Sequence, residues 1–182
     1  MRRGFKLSTL DGDIVAEQAA RDVLDTAERA AAGLGAKVVL DGAQTLTATR
    51  VYRVVRRLCA YAKGKGRAAS PTQDIASLSA WCGADAVSTT TKTKTPLQLI
   101  ITAAEARCTF ERHDVLTSAQ VAALCDLDRD HVNGMAGRGE IPGAYRLLDQ
   151  PHQPWRFGGA AFRKWLSARI EADQPLRAEV AP

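Results

Sequence analysis

The sequence predicts a mainly α-helical protein, in which an α-rich N-terminal domain (residues 1–112) precedes a smaller C-terminal module (residues 113–172) that carries a β-hairpin. Apolar residues recur at spacings near 3.6 over several long segments, which is the period of an amphipathic helix. The segments with extended character, residues 144–148 and 154–157, are short and close together, which is typical of a hairpin. Apolar residues make up 46% of the chain and charged residues 25%, as in ordinary globular domains.

Four helices are predicted in the N-terminal domain. The first extends from Asp13 to Leu34, and either Asp11 or Asp13 caps its start. Its core-facing residues are Ile14, Val15, Ala19, Val23, Leu24 and Ala27. The second extends from Thr47 to Lys63 and presents an apolar face to the core, with a strand as the alternative because valines lower helix propensity. That face consists of Val51, Val54, Val55, Leu58 and Cys59.

The remaining N-terminal segments are bounded by turn residues. Ser70 followed by Pro71 is a typical helix start, and this third helix should end at Gly83. Pro96 begins the fourth helix. Residues 37–40 are a possible short strand that ends at a turn, and the threonine-rich residues 88–95 form an exposed strand or a loop.

The net charge of +5 comes from one short segment. Residues 50–67, here called the basic stripe, contain seven basic and no acidic side chains, whereas the rest of the chain is nearly balanced. These side chains are Arg50, Arg53, Arg56, Arg57, Lys63, Lys65 and Arg67. A concentrated basic stripe is the typical footprint of a polyanionic partner, so we predict that it faces phosphates. The alternative is a solvated helix face beside a flexible loop.

The C-terminal module opens with two short helices joined by a Cys-Asp-Leu turn. Thr117 or Ser118 caps the first helix. Asp128 caps the second, residues 129–138, which should end at Gly139 in a left-handed conformation. Two helices at this spacing form a helix-turn-helix, in which the first helix and the turn brace the second.

A small β-hairpin follows the two helices. Residues 144–148 and 154–157 are its strands, and residues 149–153 form the turn between them. A closing helix then returns Phe162 and Leu166 to the core, and Trp155 and Trp165 are also expected to be core residues. A hairpin in this place is the wing of a winged helix-turn-helix.

An ordered set of residues in this module matches a known pattern. Its members are Leu116-Thr117, Val121-Ala122-Ala123-Leu124, Arg129, Val132, Gly139-Glu140-Ile141-Pro142, Trp155-Arg156-Phe157, Phe162 and Trp165-Leu166. With this set, residues 114–169 resemble the excisionase family of DNA-binding proteins and, more distantly, the DNA-binding heads of MerR-type regulators. The chain has Asp126 where such turns commonly carry glycine. The resemblance implies a winged helix-turn-helix fold and double-stranded DNA as the partner.

The resemblance also implies that the second helix and the wing contact the DNA. Arg129 and Asn133, one turn apart, are candidates for base edges, because arginine pairs with guanine and asparagine with adenine. The other candidates could contact phosphates or a groove; they are Ser118, Asp130, His131, Arg138, Arg146, His152, Gln153 and Arg156. The alternative for all of them is an ordinary solvated surface.

Signatures of catalysis and of metal binding are missing from the sequence. There is no phosphate-binding P-loop, nucleophile elbow, zinc-protease motif or dinucleotide-binding loop. Cys59, Cys82, Cys108 and Cys125 have no CxxC spacing, which predicts buried free thiols. We therefore predict no enzymatic activity, no metal and no cofactor.

The sequence also contains no apolar run that approaches the roughly 18 residues of a membrane span. The basic N-terminus does not continue as a signal peptide, because Asp11 and Asp13 follow it at once. We therefore expect a cytoplasmic protein without a membrane partner. Residues 173–182 should form a flexible tail.

Two functional hypotheses follow. In the first, the protein is a sequence-specific transcriptional regulator or an excisionase-like architectural factor that acts as a homodimer or cooperative oligomer, because small DNA-binding heads bury little surface. In the second, it is a non-enzymatic interaction subunit, such as an antitoxin, a phage packaging component or an adaptor, whose winged module docks another protein. The basic stripe favours the first, and the acidic second helix favours the second. An enzyme without a familiar motif is a third alternative.

Overall fold

The computed structural model describes residues 6–34, 46–65, 70–83, 94–147 and 154–172. Of these, residues 170–172 are described by their backbone only. This part of the chain is mainly helical and contains a small three-stranded antiparallel sheet, so the predicted mainly α class is confirmed. Several predicted features lie outside the described residues. They are the strand at 37–40, most of the threonine-rich run at 88–95, Arg67, the hairpin turn with His152 and Gln153, and the tail at 173–182.

The chain divides into two compact units, residues 1–104 and 105–182. The sequence placed the boundary slightly later, between residues 112 and 113. The division falls within the fourth helix, whose last turns belong to the second unit and contact its other residues. Gln120 Nε2 donates to Thr109 Oγ1 at 3.4 Å, and Arg163 Nη1 donates to the Phe110 carbonyl at 2.6 Å.

The described part of the first unit is built from helices. Short 3-10 turns at Leu7–Thr9 and Leu46–Ala48 precede the first two helices. The helices are α1 (Gly12–Gly33), α2 (Arg50–Ala62), α3 (Pro71–Cys82) and α4 (Pro96–Glu111). Helix α1 packs on α2 and α3, and α2 packs on α3.

Helix α1 is capped by Asp11, whose carboxylate accepts from the Asp13 N–H at 2.9 Å. Its buried residues are small and lie on one side: Val15, Ala16, Ala19 and Ala20. The expected position of Ile14 in the core is wrong, because its side chain is 67% exposed. Val23 and Leu24 are half-buried and Ala27 is exposed, so the contact face is the alanine-rich side rather than the side with the larger residues.

Helix α2 has the valine-rich buried face that the sequence predicts. Thr49 caps it by accepting from the Tyr52 N–H at 3.2 Å, so the helix begins after a 3-10 turn rather than at Thr47. The predicted core residues Val51, Val54, Val55, Leu58 and Cys59 are all buried, together with Tyr52, Tyr61 and Ala62.

Helix α3 begins at the predicted proline, although the Ser70 side chain makes no cap hydrogen bond. Helix α4 begins at Pro96. A reciprocal pair of bonds joins Thr95 and Gln98 at its start, where Gln98 Oε1 accepts from the Thr95 N–H at 2.9 Å and Thr95 Oγ1 accepts from the Gln98 N–H at 3.3 Å. Ile100 and Ile101 are fully buried, so α4 contributes to the core on more than one side.

The second unit combines short helices with a sheet. Its elements are β1 (Leu116–Thr117), α5 (Ser118–Cys125), α6 (Arg129–Gly137), β2 (Ala144–Tyr145), β3 (Arg156–Phe157) and α7 (Gly159–Ala172). Strand β3 lies between β1 and β2 and pairs antiparallel with both. The predicted pairing of the two hairpin strands is confirmed, but β1 was missed because its two residues were assigned to the start of a helix.

Helix α5 begins at a capping box and ends at a residue in the left-handed conformation. Of the two predicted caps, Thr117 is the one that forms, in a capping box with Gln120: Thr117 Oγ1 accepts from the Gln120 N–H at 3.3 Å, and Gln120 Oε1 accepts from the Thr117 N–H at 2.8 Å. Asp126 then adopts the left-handed conformation, with φ 56° and ψ 36°. This backbone geometry explains why glycine is common at the corresponding position in similar turns.

Helix α6 begins at Arg129 and is followed by a left-handed Gly139, both as predicted, but the predicted side-chain cap does not form. Asp128 occupies the N-cap position, yet its side chain makes no cap hydrogen bond. At the other end Gly139 has φ 74°, and the Glu140 N–H donates to the Met135 carbonyl at 3.0 Å. Together with the bond from the Gly139 N–H to the Ala136 carbonyl at 3.1 Å, these contacts form a Schellman motif.

One apolar core holds the second unit together. It contains Leu116, Val121, Ala122, Cys125, Val132, Met135, Ala136, Ile141, Phe157, Phe162 and Leu166. Trp155 and Trp165 pack against this core but are only half-buried, so their predicted place inside it is corrected to its edge. Gly143 lies against the backbone of Gly158, where an added Cβ would come within 2.4 Å of the Gly158 carbonyl oxygen.

Candidate nucleic-acid interface

Helix α6 presents the two residues that the sequence assigned to base contacts. Val132 and Met135 are buried, so the opposite side of the helix is accessible. Arg129 is exposed and Asn133 is half-buried. Among the described residues, Arg129 makes no ion pair or side-chain hydrogen bond. Its guanidinium is therefore available to a ligand that approaches the start of the helix.

Acidic groups share this surface. Asp128, Asp130 and His131 are exposed at the start of α6. Beyond its end, Arg138 is exposed but donates to Glu140 through Nε and, at 3.3 Å, through Nη2. This hydrogen bond lowers the pKa of Glu140 from its usual value, and the nearby His131 lowers that pKa further. Because Glu140 compensates its charge, Arg138 is a weaker candidate for a phosphate contact than Arg129 is.

The sheet carries one further predicted residue, Arg156 in β3. Phe157 faces the core, so its neighbour Arg156 lies on the outer face together with its cross-strand partners Thr117 and Tyr145. Tyr145 was not predicted as a site residue, although the alternation along its strand places it beside Arg156. This outer face combines an arginine, a tyrosine and a hydroxyl group.

Arg146 follows β2 and stacks on a tryptophan. Its Cζ lies 4.4 Å from the centroid of the Trp155 ring, within the range of a cation–π contact. In the part of the chain that the structure describes, the buried Nε of Arg146 has no hydrogen-bond partner. Trp155 therefore orients the Arg146 guanidinium. The sequence predicted only a core position for this tryptophan.

Ser118 is the one buried residue among the predicted DNA contacts that the structure describes. It is only 4% exposed, in the first turn of α5. This burial makes its side chain a weaker candidate than Arg129, and its contact with DNA stays a prediction.

Two arginines of the basic stripe are paired with carboxylates from other helices. Arg57 Nε donates to Asp74 Oδ2 at 2.8 Å, and a second bond joins the same two side chains. Arg56 Nε lies 3.0 Å from Asp13 Oδ1. Asp13 and Asp74 come from α1 and α3, so no inspection of residues 50–67 alone would identify them.

Other members of the basic stripe also have partners within the first unit. Lys63 Nζ donates to the Leu10 carbonyl, and Arg50 lies over the Trp81 ring at 5.6 Å. Within the described ranges, Arg53 and Lys65 are the members without a side-chain hydrogen bond, ion pair or ring contact. The accessible positive charge is therefore concentrated at fewer positions than the count of basic residues indicates.

A shallow depression lies on the exposed side of α2. It is lined by Thr47, Tyr52, Arg53, Arg56, Arg57 and Ala60. The Tyr52 hydroxyl donates to Asp13 Oδ1 at 2.6 Å, and this bond raises the pKa of Tyr52. Three of the predicted stripe residues thus share one concave surface.

The residues that the structure describes contain neither a metal-binding cluster nor a membrane-spanning helix. No group of three or more histidine, cysteine or acidic side chains is close enough to hold a metal ion there. Cys59 and Cys125 are buried thiols, as predicted, whereas Cys82 and Cys108 are half-buried. Burial raises the pKa of the Cys59 and Cys82 thiols. None of the described helices has both the length and the apolar character needed to cross a bilayer.

Comparison of the chain with models of protein families, with curated proteins and with solved structures gave no match in any of the three.

Proposed function

We propose that this protein binds double-stranded DNA, and that the second unit acts as a winged helix-turn-helix with α6 as its recognition helix. One observation carries the proposal: Arg129 and Asn133 are accessible, one turn apart, on the second of two short helices joined by a tight turn. A helix of this kind enters the major groove with its N-terminal residues against the base edges.

The side chains on α6 are suited to reading bases. Arg129 can bind guanine O6 and N7 with two parallel hydrogen bonds, and Asn133 can bind adenine N6 and N7. Arg156 on the outer face of the sheet and Arg146 on Trp155 supply positive charge for the wing. Such contacts to phosphates fix the register of a protein on the duplex without reading its sequence.

The acidic residues around α6 lower the affinity that a single copy can achieve. Asp128 and Asp130 are exposed beside the candidate base contacts and repel phosphates. We therefore propose that binding uses two copies of the chain on paired half-sites, together with contacts from the basic stripe. The role is that of a sequence-specific transcriptional regulator or an excisionase-like architectural factor.

Selection from a pool of random duplexes, followed by sequencing, tests this function. The wild type is compared with Arg129→Ala/Asn133→Ala and with Lys164→Ala, which removes one exposed positive charge from α7 of the same unit. We expect the wild type and Lys164→Ala to enrich the same motif and the double variant to enrich none. A motif that the double variant retains would exclude α6 as the recognition helix. Salt-sensitive binding without any motif would exclude sequence reading.

The alternative function is docking of a partner protein by the same unit. It is favoured by the exposed apolar side chains at β2, where Tyr145 is 40% and Leu147 66% exposed. Absence of duplex binding at about 50 mM salt, where even non-specific phosphate contacts are strong, would exclude the first function and favour this one.

A further inference from the structure

The depression on α2 is lined by three arginines that differ in how many contacts each makes with carboxylates. Arg53 has no partner within the described residues, Arg56 has one, and Arg57 has two bonds to a single carboxylate. All three line the same concave surface. The two carboxylates that bind Arg56 and Arg57 come from other helices.

Arg57 is held firmly by Asp74. The side chain of Asp74 is only 13% exposed, whereas that of Arg57 is 46% exposed. The two bonds use Nε and Nη2 of the guanidinium, so Nη1 keeps its donors free of Asp74. A bidentate pair of this kind restricts the arginine to one orientation.

Arg56 is held more loosely than Arg57. Its Nε lies 3.0 Å from Asp13 Oδ1, which also accepts the Tyr52 hydroxyl hydrogen bond. The carboxylate is therefore shared between a tyrosine and an arginine, and the Arg56 side chain is still 64% exposed.

We propose that this depression binds one phosphate group, with Arg53 as its direct ligand and Arg56 and Arg57 as oriented partners. Three guanidiniums face two carboxylates, so the group retains a net positive charge. Planar guanidiniums are suited to phosphate because they donate two parallel hydrogen bonds to its oxygens. The phosphate belongs either to a nucleic-acid backbone or to a free phosphate ester. Assignment of the phosphate to a nucleic-acid backbone rests on the proposed DNA-binding function, whereas the site itself does not.

Titration of the full chain with pyrophosphate, measured by calorimetry, tests the site directly. The variants are Arg53→Ala, Arg53→Lys and Lys65→Ala; Lys65 belongs to the same stripe but does not line the depression. We expect Arg53→Ala to weaken binding at least about tenfold and Arg53→Lys to weaken it less, because the lysine keeps the charge but loses the two-pronged geometry. Lys65→Ala should change the affinity by less than about twofold, as a distant exposed charge does.

A parallel titration with a short duplex of random sequence identifies the source of the phosphate. Loss of duplex binding in Arg53→Ala, with Lys65→Ala unaffected, assigns the site to backbone phosphates. Loss of pyrophosphate binding alone assigns it to free phosphate esters. Equal losses in Arg53→Ala and Lys65→Ala would overturn the proposal, because they would indicate diffuse charge. Failure of the wild type to bind either probe at low salt would also overturn it.

The failure of this site and the failure of the proposed function give different results. Loss of motif selection in Arg129→Ala/Asn133→Ala concerns the second unit alone, whereas Arg53 lies in the first unit. Because Arg53 is exposed and unpaired among the described residues, Arg53→Ala should fold normally, and an unchanged thermal melt confirms this for the variant used.

Discussion

The two units of this protein use their charged side chains differently. In the first unit, the exposed arginines of α2 also hold helices together, as Arg57 does by binding Asp74 of α3. In the second unit, the exposed residues of α6 take no part in packing. There the fold depends on other groups, among them Arg163 and Gly143.

The difference decides what a surface mutation can reveal. Substitution of a paired stripe residue such as Arg57 changes both stability and ligand binding, so a loss of affinity must be corrected for a loss of fold. A substitution on the accessible side of α6 changes binding alone. The following experiments test this contrast in order of decreasing expected effect on the free energy of unfolding.

Gly143→Ala should have the largest effect. The residue has φ 74°, which disfavours any side chain, and its new Cβ would lie 2.4 Å from the Gly158 carbonyl oxygen. We expect the second unit to lose about 2–4 kcal/mol of stability, because backbone strain and overpacking each cost about 1–3 kcal/mol. Urea denaturation followed by tryptophan fluorescence measures the loss.

Gly137→Ala is the matched control for that substitution. Gly137 lies at the end of α6 with no atom near its missing Cβ, so alanine should leave stability unchanged or raise it by up to about 1 kcal/mol. Equal destabilisation by the two substitutions would contradict a specific role for the contact between Gly143 and Gly158.

Arg163→Ala comes next. Arg163 donates to the carbonyls of Phe110 at 2.6 Å and Asp114 at 3.2 Å, and its Cζ lies 5.2 Å from the centroid of the Phe110 ring. Removal of charged hydrogen bonds of this type costs about 1.5–3 kcal/mol. Lys164→Ala at the neighbouring exposed position should stay within about 0.5 kcal/mol in the same denaturation experiment. A similar loss of stability in both variants would contradict a specific role for Arg163 in stabilising the second unit.

Double-mutant cycles on α2 measure how much its surface ion pairs contribute to the free energy of unfolding. The Arg57–Asp74 pair should show a coupling of about 1–2 kcal/mol, which is less than a fully buried pair because Arg57 is partly solvated. The Arg56–Asp13 pair is 64% and 51% exposed and should show about 0–1 kcal/mol. If both couplings are close to zero, the arginines of α2 do not stabilise the first unit and the contrast between the units is lost.

Arg129→Ala should have the smallest effect on stability. Because the side chain is exposed and has no partner among the described residues, we expect a change within about 0.5 kcal/mol. Thermal and urea denaturation of the same preparation used for DNA selection provide the measurement. Destabilisation by more than about 1 kcal/mol would show that α6 residues support the fold and would break the separation between surface and scaffold.

Local features of the fold were predictable from sequence because their causes are local. The valine-rich face of α2 follows from residue spacing, and the Schellman motif at Gly139 follows from a glycine placed just after a helix. The pairing of β2 with β3 was also predictable, since two short extended segments lie close together in the chain.

Tertiary features were not predictable in this way. Ile14 has the right period for the core but lies 67% exposed, because alanines let α1 approach its neighbours on another side. Strand β1 directly precedes helix α5, so no separate extended segment marks it in the sequence. The partners of the basic stripe, Asp13 and Asp74, are distant in sequence and become visible only when helices pack.

The order of the strands in the sheet has a consequence for synthesis of the chain on the ribosome. Strand β3 is the last of the three to emerge, yet it is the one with which both β1 and β2 pair. Strand β1 therefore has no hydrogen-bonded neighbour in the sheet until Phe157, about forty residues after Leu116, has been synthesised. A nascent or truncated chain that stops before Arg156 cannot assemble any of this sheet, although its α5–α6 segment is complete.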